Sequence, residues 1–161
     1  MTDRMAAFGA LIDNPNAPCS DVAQDFYDRY EKFQLVIDKW FGIQASANHE
    51  GIFDELEKLR DHEDFDMTNP NRVRSLFAAF AMNNPVAFHD PSGRGYDFLK
   101  NAIIELNTIN PQIAARMVTP LREWKRYTPD RQEKMKAALQ EILEIENISP
   151  NVFELVSKSL G

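Results

Sequence analysis

The sequence predicts an all-α fold, an α-α superhelix of stacked helical hairpins of the HEAT or armadillo kind, with about eight or nine helices. Three observations carry this. Apolar residues recur at i, i+3, i+4 and i+7 along almost the whole chain, and no stretch alternates in a way that reads as a strand. Capping residues stand directly before prolines at Asn69-Pro70, Asn110-Pro111 and Ser149-Pro150, where the missing proline N–H costs nothing at the first helical position. These starts are separated by 41 and 39 residues, the spacing expected of repeats with two helices each.

Taken in order, Thr2 is expected to cap a first helix with Met5, Phe8, Leu11 and Ile12 inward, ended by Asn14-Pro15-Asn16-Ala17-Pro18. Ser20 caps a second, with Val22, Phe26, Tyr30 and Phe33 on its apolar face and Asp21 suiting the helix dipole. The third runs near Gln34 to Gln44 and is read as strongly buried through Leu35, Val36, Trp40, Phe41 and Ile43, with Gly42 a blemish inside it. The fourth spans His49 to Asp61, with Ile52, Phe53, Leu56 and Leu59 inward. Asn69-Pro70 opens the fifth, which carries Val73, Leu76, Phe77 and Phe80 and stops at Asn83-Asn84-Pro85. After a short apolar segment, Val86 to His89, a tight turn over Asp90-Pro91-Ser92-Gly93-Arg94-Gly95 leads into a sixth helix capped by Ser92, with Tyr96, Leu99, Ile103 and Leu106 inward. The seventh starts at Asn110 and kinks or breaks at Pro120. Thr128-Pro129 opens an eighth of about 17 residues with Met135, Ala138, Leu139, Ile142 and Ile145 in its stripe. Ser149-Pro150 opens the last, ending near Leu160.

At 161 residues the chain fits one domain, long enough to bury about 70% of its unfolded surface. Net charge is −7, from 18 Lys plus Arg against 25 Asp plus Glu, which offers no electrostatic footprint for nucleic acid. The most basic stretch, Arg122 to Lys136, reads as a solvated helix face. Cys19 is the single cysteine, so there is no disulfide framework and no cysteine-based metal site, which suits a reducing, cytoplasmic compartment. No run approaches the roughly 18 apolar residues of a membrane span, and the polar start Met1-Thr2-Asp3-Arg4 does not read as a signal peptide.

Candidate chemistry is sparse. His49, His62 and His89 make no pair at ligand spacing, and the position four after His62 is Asp66, so His62-Glu63 does not begin a zincin helix. His62 is expected on the surface or at a cap, and His89 in a hydrogen-bonded structural role. Gly93-Arg94-Gly95 lacks the longer glycine pattern of a phosphate cradle and reads as a turn. The acids Asp61, Glu63, Asp64 and Asp66 read as a solvated loop. Arg72 and Arg74 follow a helix start, where cations oppose the dipole, so they answer to something else, such as buried carboxylates or another domain. Gln112 and Arg116 sit four apart just inside a helix start and project from one face, away from the apolar set Ile113, Met117, Leu121 and Trp124. Spacing alone leaves open whether that pair is an ordinary exposed pair or faces a cavity or partner. The residues by themselves give an all-α scaffold without a catalytic centre of its own.

Several segments carry a resemblance. Leu35-Val36-Ile37-Asp38-Lys39-Trp40-Phe41, Asn69-Pro70-Asn71-Arg72-Val73-Arg74-Ser75-Leu76, Phe88-His89, Ser92-Gly93-Arg94-Gly95-Tyr96, Leu106-Asn107, Asn110-Pro111-Gln112 and Lys125-Arg126-Tyr127 through Met135 resemble, in order and over the whole chain, the C-terminal helical domain of bacterial alanyl aminopeptidases (aminopeptidase N) of the M1 zinc metallopeptidase family. The resemblance implies a piece, residues 1–161, of a longer polypeptide whose zinc, HExxH ligands, general-base Glu and catalytic Tyr all lie upstream. It implies a non-catalytic region that packs over the upstream catalytic domain, restricts entry to peptides and lines the substrate cavity with Gln112, Arg116 and Arg74. The alternative is a free-standing α-solenoid that binds a protein or peptide.

Overall fold

The computed structural model describes residues 2–14 and 19–161. Pro15 to Pro18 of the expected first helix stop, and the side chain of Cys19, lie outside the described residues. Among the described residues every regular element is helical. The chain divides into two compact units, Met1–Asn84 and Pro85–Gly161.

In the first unit, α1 (Thr2–Ile12) and α2 (Cys19–Tyr30) pair through Phe8 and Phe26, whose rings stack with centroids 4.6 Å apart. Thr2 and Ser20 both lie within these helices rather than capping them. The buried face of α2 is Ala23, Phe26 and Tyr27. Phe33, expected on that face, follows the helix end and is 59% exposed. It occupies the cap position before α3 (Gln34–Ser46), the element the other helices of this unit pack around.

The inward residues of α3 are Ile37, Trp40, Phe41, Gln44 and Ala45. Leu35, expected in the core, is 72% exposed. The dense apolar composition hid the phase of this helix, which is set by Trp40 donating to the Ala23 carbonyl at 2.8 Å. α4 (Ile52–Arg60) buries Ile52, Leu56 and Leu59 as its spacing dictates, after Gly51 at φ +83°.

Asn69 accepts from the backbone N–H groups of Asn71 and Arg72, and Pro70 opens α5 (Pro70–Val73). The helix does not continue regularly. Arg74–Ala78 form a π-helical turn before α6 (Ala79–Asn83). Val73, Leu76, Phe77 and Phe80 are fully buried. Beyond the stop, the buried Asn84 amide donates to the Ala47 carbonyl at 2.6 Å, which satisfies backbone at the end of α3.

In the second unit, α7 (Pro85–Phe88) is followed by a turn and α8 (Arg94–Ile109). Gly93 at φ +83° holds the position before α8, and the Ser92 hydroxyl accepts from Arg94 N–H at 3.3 Å. Gly95 is dictated by packing, because an added Cβ would lie 2.4 Å from the Phe88 carbonyl oxygen. α8 packs on α9 (Pro111–Met117), and both α9 and α11 (Pro129–Leu143) pack on α12 (Pro150–Leu160).

The break expected near Pro120 is observed. The helix ends at Met117, and α10 (Thr119–Arg122) restarts with Pro120 in its first turn. A single 3-10 turn follows over Trp124–Arg126. α11 is 15 residues long, and Ile145 lies past its end. Asn107 fastens α8 to the start of α12, accepting from Ser149 N–H at 2.9 Å and donating to the Asn147 carbonyl at 3.2 Å. Tyr96, Leu99, Ile103, Leu121, Leu139 and Val156 make up the middle of this core.

Candidate functional site

The cap at Asn110 orients the short helix that carries the first candidate pair. Asn110 leaves the helical region and its side chain accepts from Ile113 N–H at 3.2 Å, with Pro111 next in line. α9 buries Ile113, Ala114, Ala115 and Met117. Gln112 and Arg116 remain exposed, one turn apart. Neither makes a side-chain hydrogen bond or ion pair with the described residues. Arg116 lies in the last turn of α9, where a cation suits the dipole. A guanidinium fork and a primary amide side by side can bind a peptide: the first takes carbonyl or carboxylate oxygens, the second pairs with an amide as donor and acceptor.

Arg74, the third candidate, belongs to the first unit. It is exposed at the head of the π turn, and its Nη2 donates to Asn71 Oδ1 at 2.6 Å. Arg72, two residues earlier, takes the opposite course. It is 2% exposed, donates to Gln34 Oε1 at 2.6 Å, lies over the Phe41 ring at 5.0 Å, and has Nη1 2.9 Å from Asp38 Oδ1. That last contact is an ion pair by distance but not an aligned hydrogen bond, and Arg72 Nε is buried without an acceptor. The two arginines that sequence treats alike thus divide into an internal anchor and an outward cation.

Of the two places expected for His62, surface or cap, it is half-buried rather than on the surface, and its ring nitrogen accepts a backbone N–H as a capping side chain does. Its ring stands 4.8 Å from Tyr27, 5.1 Å from Trp40 and 5.6 Å from Phe41, and Nδ1 accepts from Asp64 N–H at 3.1 Å. Burial holds its pKa below the ordinary value, with Arg72 adding in the same direction against the opposing pull of Asp64 and Glu63. The Tyr27 hydroxyl donates to Asp64 at 2.9 Å, and burial with that bond pushes its pKa up to about 12. His89 has the structural role expected of it. It stacks on Tyr127 at 4.1 Å and bonds Tyr96 through Nδ1 at 2.8 Å, while its carbonyl accepts from Arg131.

Sequence reasoning missed an open groove of about 510 Å³ between α1, α3 and α6. Its floor includes Gly9, Gly42, Ile43 and Ala79, with Asp13 and Lys39 at the rim. The available signal was Gly42, whose lack of a side chain lets α3 approach the Ser75 carbonyl closely. Among the described residues no three His, Cys, Asp or Glu side chains converge as a metal site. The zinc implied by the resemblance has no fitting donor set among them, and the resemblance assigns its ligands to the polypeptide upstream.

Comparison with known proteins agrees with the motifs. The chain is 43% identical over its full length to aminopeptidase N of Escherichia coli (strain K12), 40% to aminopeptidase N of Caulobacter vibrioides, and 41% over 99% of the chain to that of Haemophilus influenzae. It covers 18%, 19% and 18% of those proteins, and the match is to the C-terminal region. The crystal structure of Legionella pneumophila aminopeptidase A in complex with aspartic acid superposes with a TM-score of 0.94 at 31% identity, covering 99% of this chain and 19% of that one. A family model described as a domain of unknown function (DUF3458_C) with ARM repeats matches residues 1–161, and the chain belongs to that family.

Proposed function

We propose that residues 1–161 act as the single, non-catalytic C-terminal helical domain of a zinc-dependent M1 aminopeptidase that removes N-terminal residues from peptides. The region caps the active site of the upstream catalytic domain, controls peptide access and lines the substrate cavity with Gln112, Arg116 and Arg74. The identity of 43% across the whole chain with the C-terminal region of an aminopeptidase N supports this reading. The observation that carries the site assignment is the exposed pair on α9, two polar groups with no partner among the described residues. Among the described residues no helix is long and apolar enough to cross a membrane; the cytoplasmic placement rests on the single cysteine and the absence of a disulfide framework in the sequence.

Arg116 and Gln112 hydrogen-bond the peptide beyond the scissile bond. Such contacts are equally strong in ground and transition states, so they govern KM. In the full-length enzyme, Arg116→Ala is expected to raise KM for a tripeptide about tenfold, the scale of one lost charge-assisted hydrogen bond, and to lower kcat far less. A collapse of kcat at unchanged KM would refute the role.

A further inference from the structure

The Asn69 to Arg74 motif holds more than a helix start, and each of its polar residues has a distinct place. Asn69 caps, and Pro70 sets the first turn. Arg72 plunges inward to Asp38, Gln34 and the Phe41 ring, all on or at the start of α3, and so fixes the rotation of α5. With Arg72 pinned, Asn71 and Arg74 both face outward, three residues apart. Asn71 N–H is held by the Asn69 side chain at 3.0 Å, which leaves its amide side chain free to act. That side chain receives Arg74 Nη2 at 2.6 Å. A free arginine on a surface samples many rotamers, and confining it costs binding energy unless the protein has done so beforehand.

We propose that Asn71 is a positioning residue for peptide binding: it holds the Arg74 guanidinium in place so that its remaining N–H groups are presented to a peptide carbonyl or carboxylate. This rests on the reading of Arg74 as a cavity-lining residue. Asn71 itself does not touch substrate. One of the five donors of Arg74 is spent on Asn71, and the others stay available.

The test uses the full-length enzyme and two substrates: a tripeptide, and an amino-acid anilide with no residue beyond the scissile bond. Arg74→Ala is expected to raise KM for the tripeptide about tenfold and to leave the anilide KM within about twofold. Asn71→Ala is expected to raise the tripeptide KM about threefold, again sparing the anilide, and to have no further effect in the Arg74→Ala background. Asn71→Asp, which keeps the acceptor oxygen, restores the tripeptide KM to within about twofold. If Arg74→Ala shifts the tripeptide KM and Asn71→Ala does not, the positioning role is overturned and the cavity reading stands. If Arg74→Ala leaves both substrates unchanged, the cavity reading of Arg74 fails and the positioning role falls with it. An equal loss on both substrates for Asn71→Ala would mark a merely structural residue and overturn the proposal.

Discussion

Replacing Asp38 by Asn should cost far more stability than replacing the whole ion pair by apolar residues. Arg72 is 2% exposed and Asp38 17%, with 2.9 Å between Nη1 and Oδ1. At an effective dielectric of about 20, unit charges at that distance attract by roughly 6 kcal/mol, an upper bound on what Asp38→Asn removes. Gln34 and the Phe41 ring still shelter the guanidinium, and Asp38 reaches some solvent, so about 2–3 kcal/mol is the expected loss. The double variant Arg72→Met with Asp38→Leu removes both charges together with a buried Nε and a buried Oδ1 that already lack hydrogen-bond partners, and should fall within about 1 kcal/mol of the parent. The assay is urea unfolding followed by Trp40 emission in a Trp124→Phe background, so that the signal comes from the first unit. With a slope of about 2 kcal/mol per molar, Asp38→Asn should lower the midpoint by about 1–1.5 M. A drop under about 0.3 M, or a double variant as unstable as Asp38→Asn, would refute the argument that the buried guanidinium needs its counter-charge.

Two further outcomes follow from local geometry. Gly95→Ala places a Cβ 2.4 Å from the Phe88 carbonyl oxygen and 2.7 Å from its Cα, backbone that cannot swing aside as a side chain could, and is expected to cost about 2–3 kcal/mol and lower the thermal midpoint by roughly 6–10 °C in circular dichroism melts. His62 has a folded pKa held below its unfolded value, chiefly by burial. The unfolded chain therefore binds its proton first on acidification, so the stability this residue contributes is complete above about pH 6.5 and is lost as pH falls through the folded pKa. The Trp40 signal in urea should report that decline, and His62→Gln, which keeps an acceptor for Asp64 N–H, should flatten it.

Much of this was legible in the sequence because it is local. A cap followed by proline needs only its own turn, and Asn69, Asn110 and Ser149 each accept backbone N–H groups as their residue types demand. The break at Pro120 and the turn at Gly93 are of the same kind. What was not legible depends on partners far along the chain. The phase of α3 could not be read from a run in which Leu35, Val36 and Ile37 are all apolar, and the outcome, Leu35 out and Ile37 in, is decided by contacts with α2 and the π turn. His62 sits among rings contributed by Tyr27, Trp40 and Phe41, from two other helices, so no local pattern marks it. Among the candidate residues, spacing placed Gln112 and Arg116 on one outward face, whereas it could not tell Arg72 from Arg74, because their difference lies in Asp38 and Gln34 more than 30 residues earlier.

The π turn at Arg74–Ala78 acts as a phase correction. The buried pairs Arg72 and Val73, Leu76 and Phe77, Phe80 and Ala81 recur every four residues, whereas a regular helix turns in 3.6 and drifts about 40° with each such step. One wide turn absorbs roughly one residue and brings the later pairs back into line with the first, so that α5, the π turn and α6 all face α3. The segment therefore tolerates the loss of one residue better than the gain of one. Deleting a single residue between 74 and 78 would let the helix wind evenly and leave Phe80 within about 20° of its present direction, whereas inserting one would swing everything downstream by about 100° and carry Phe80 away from the core it fills.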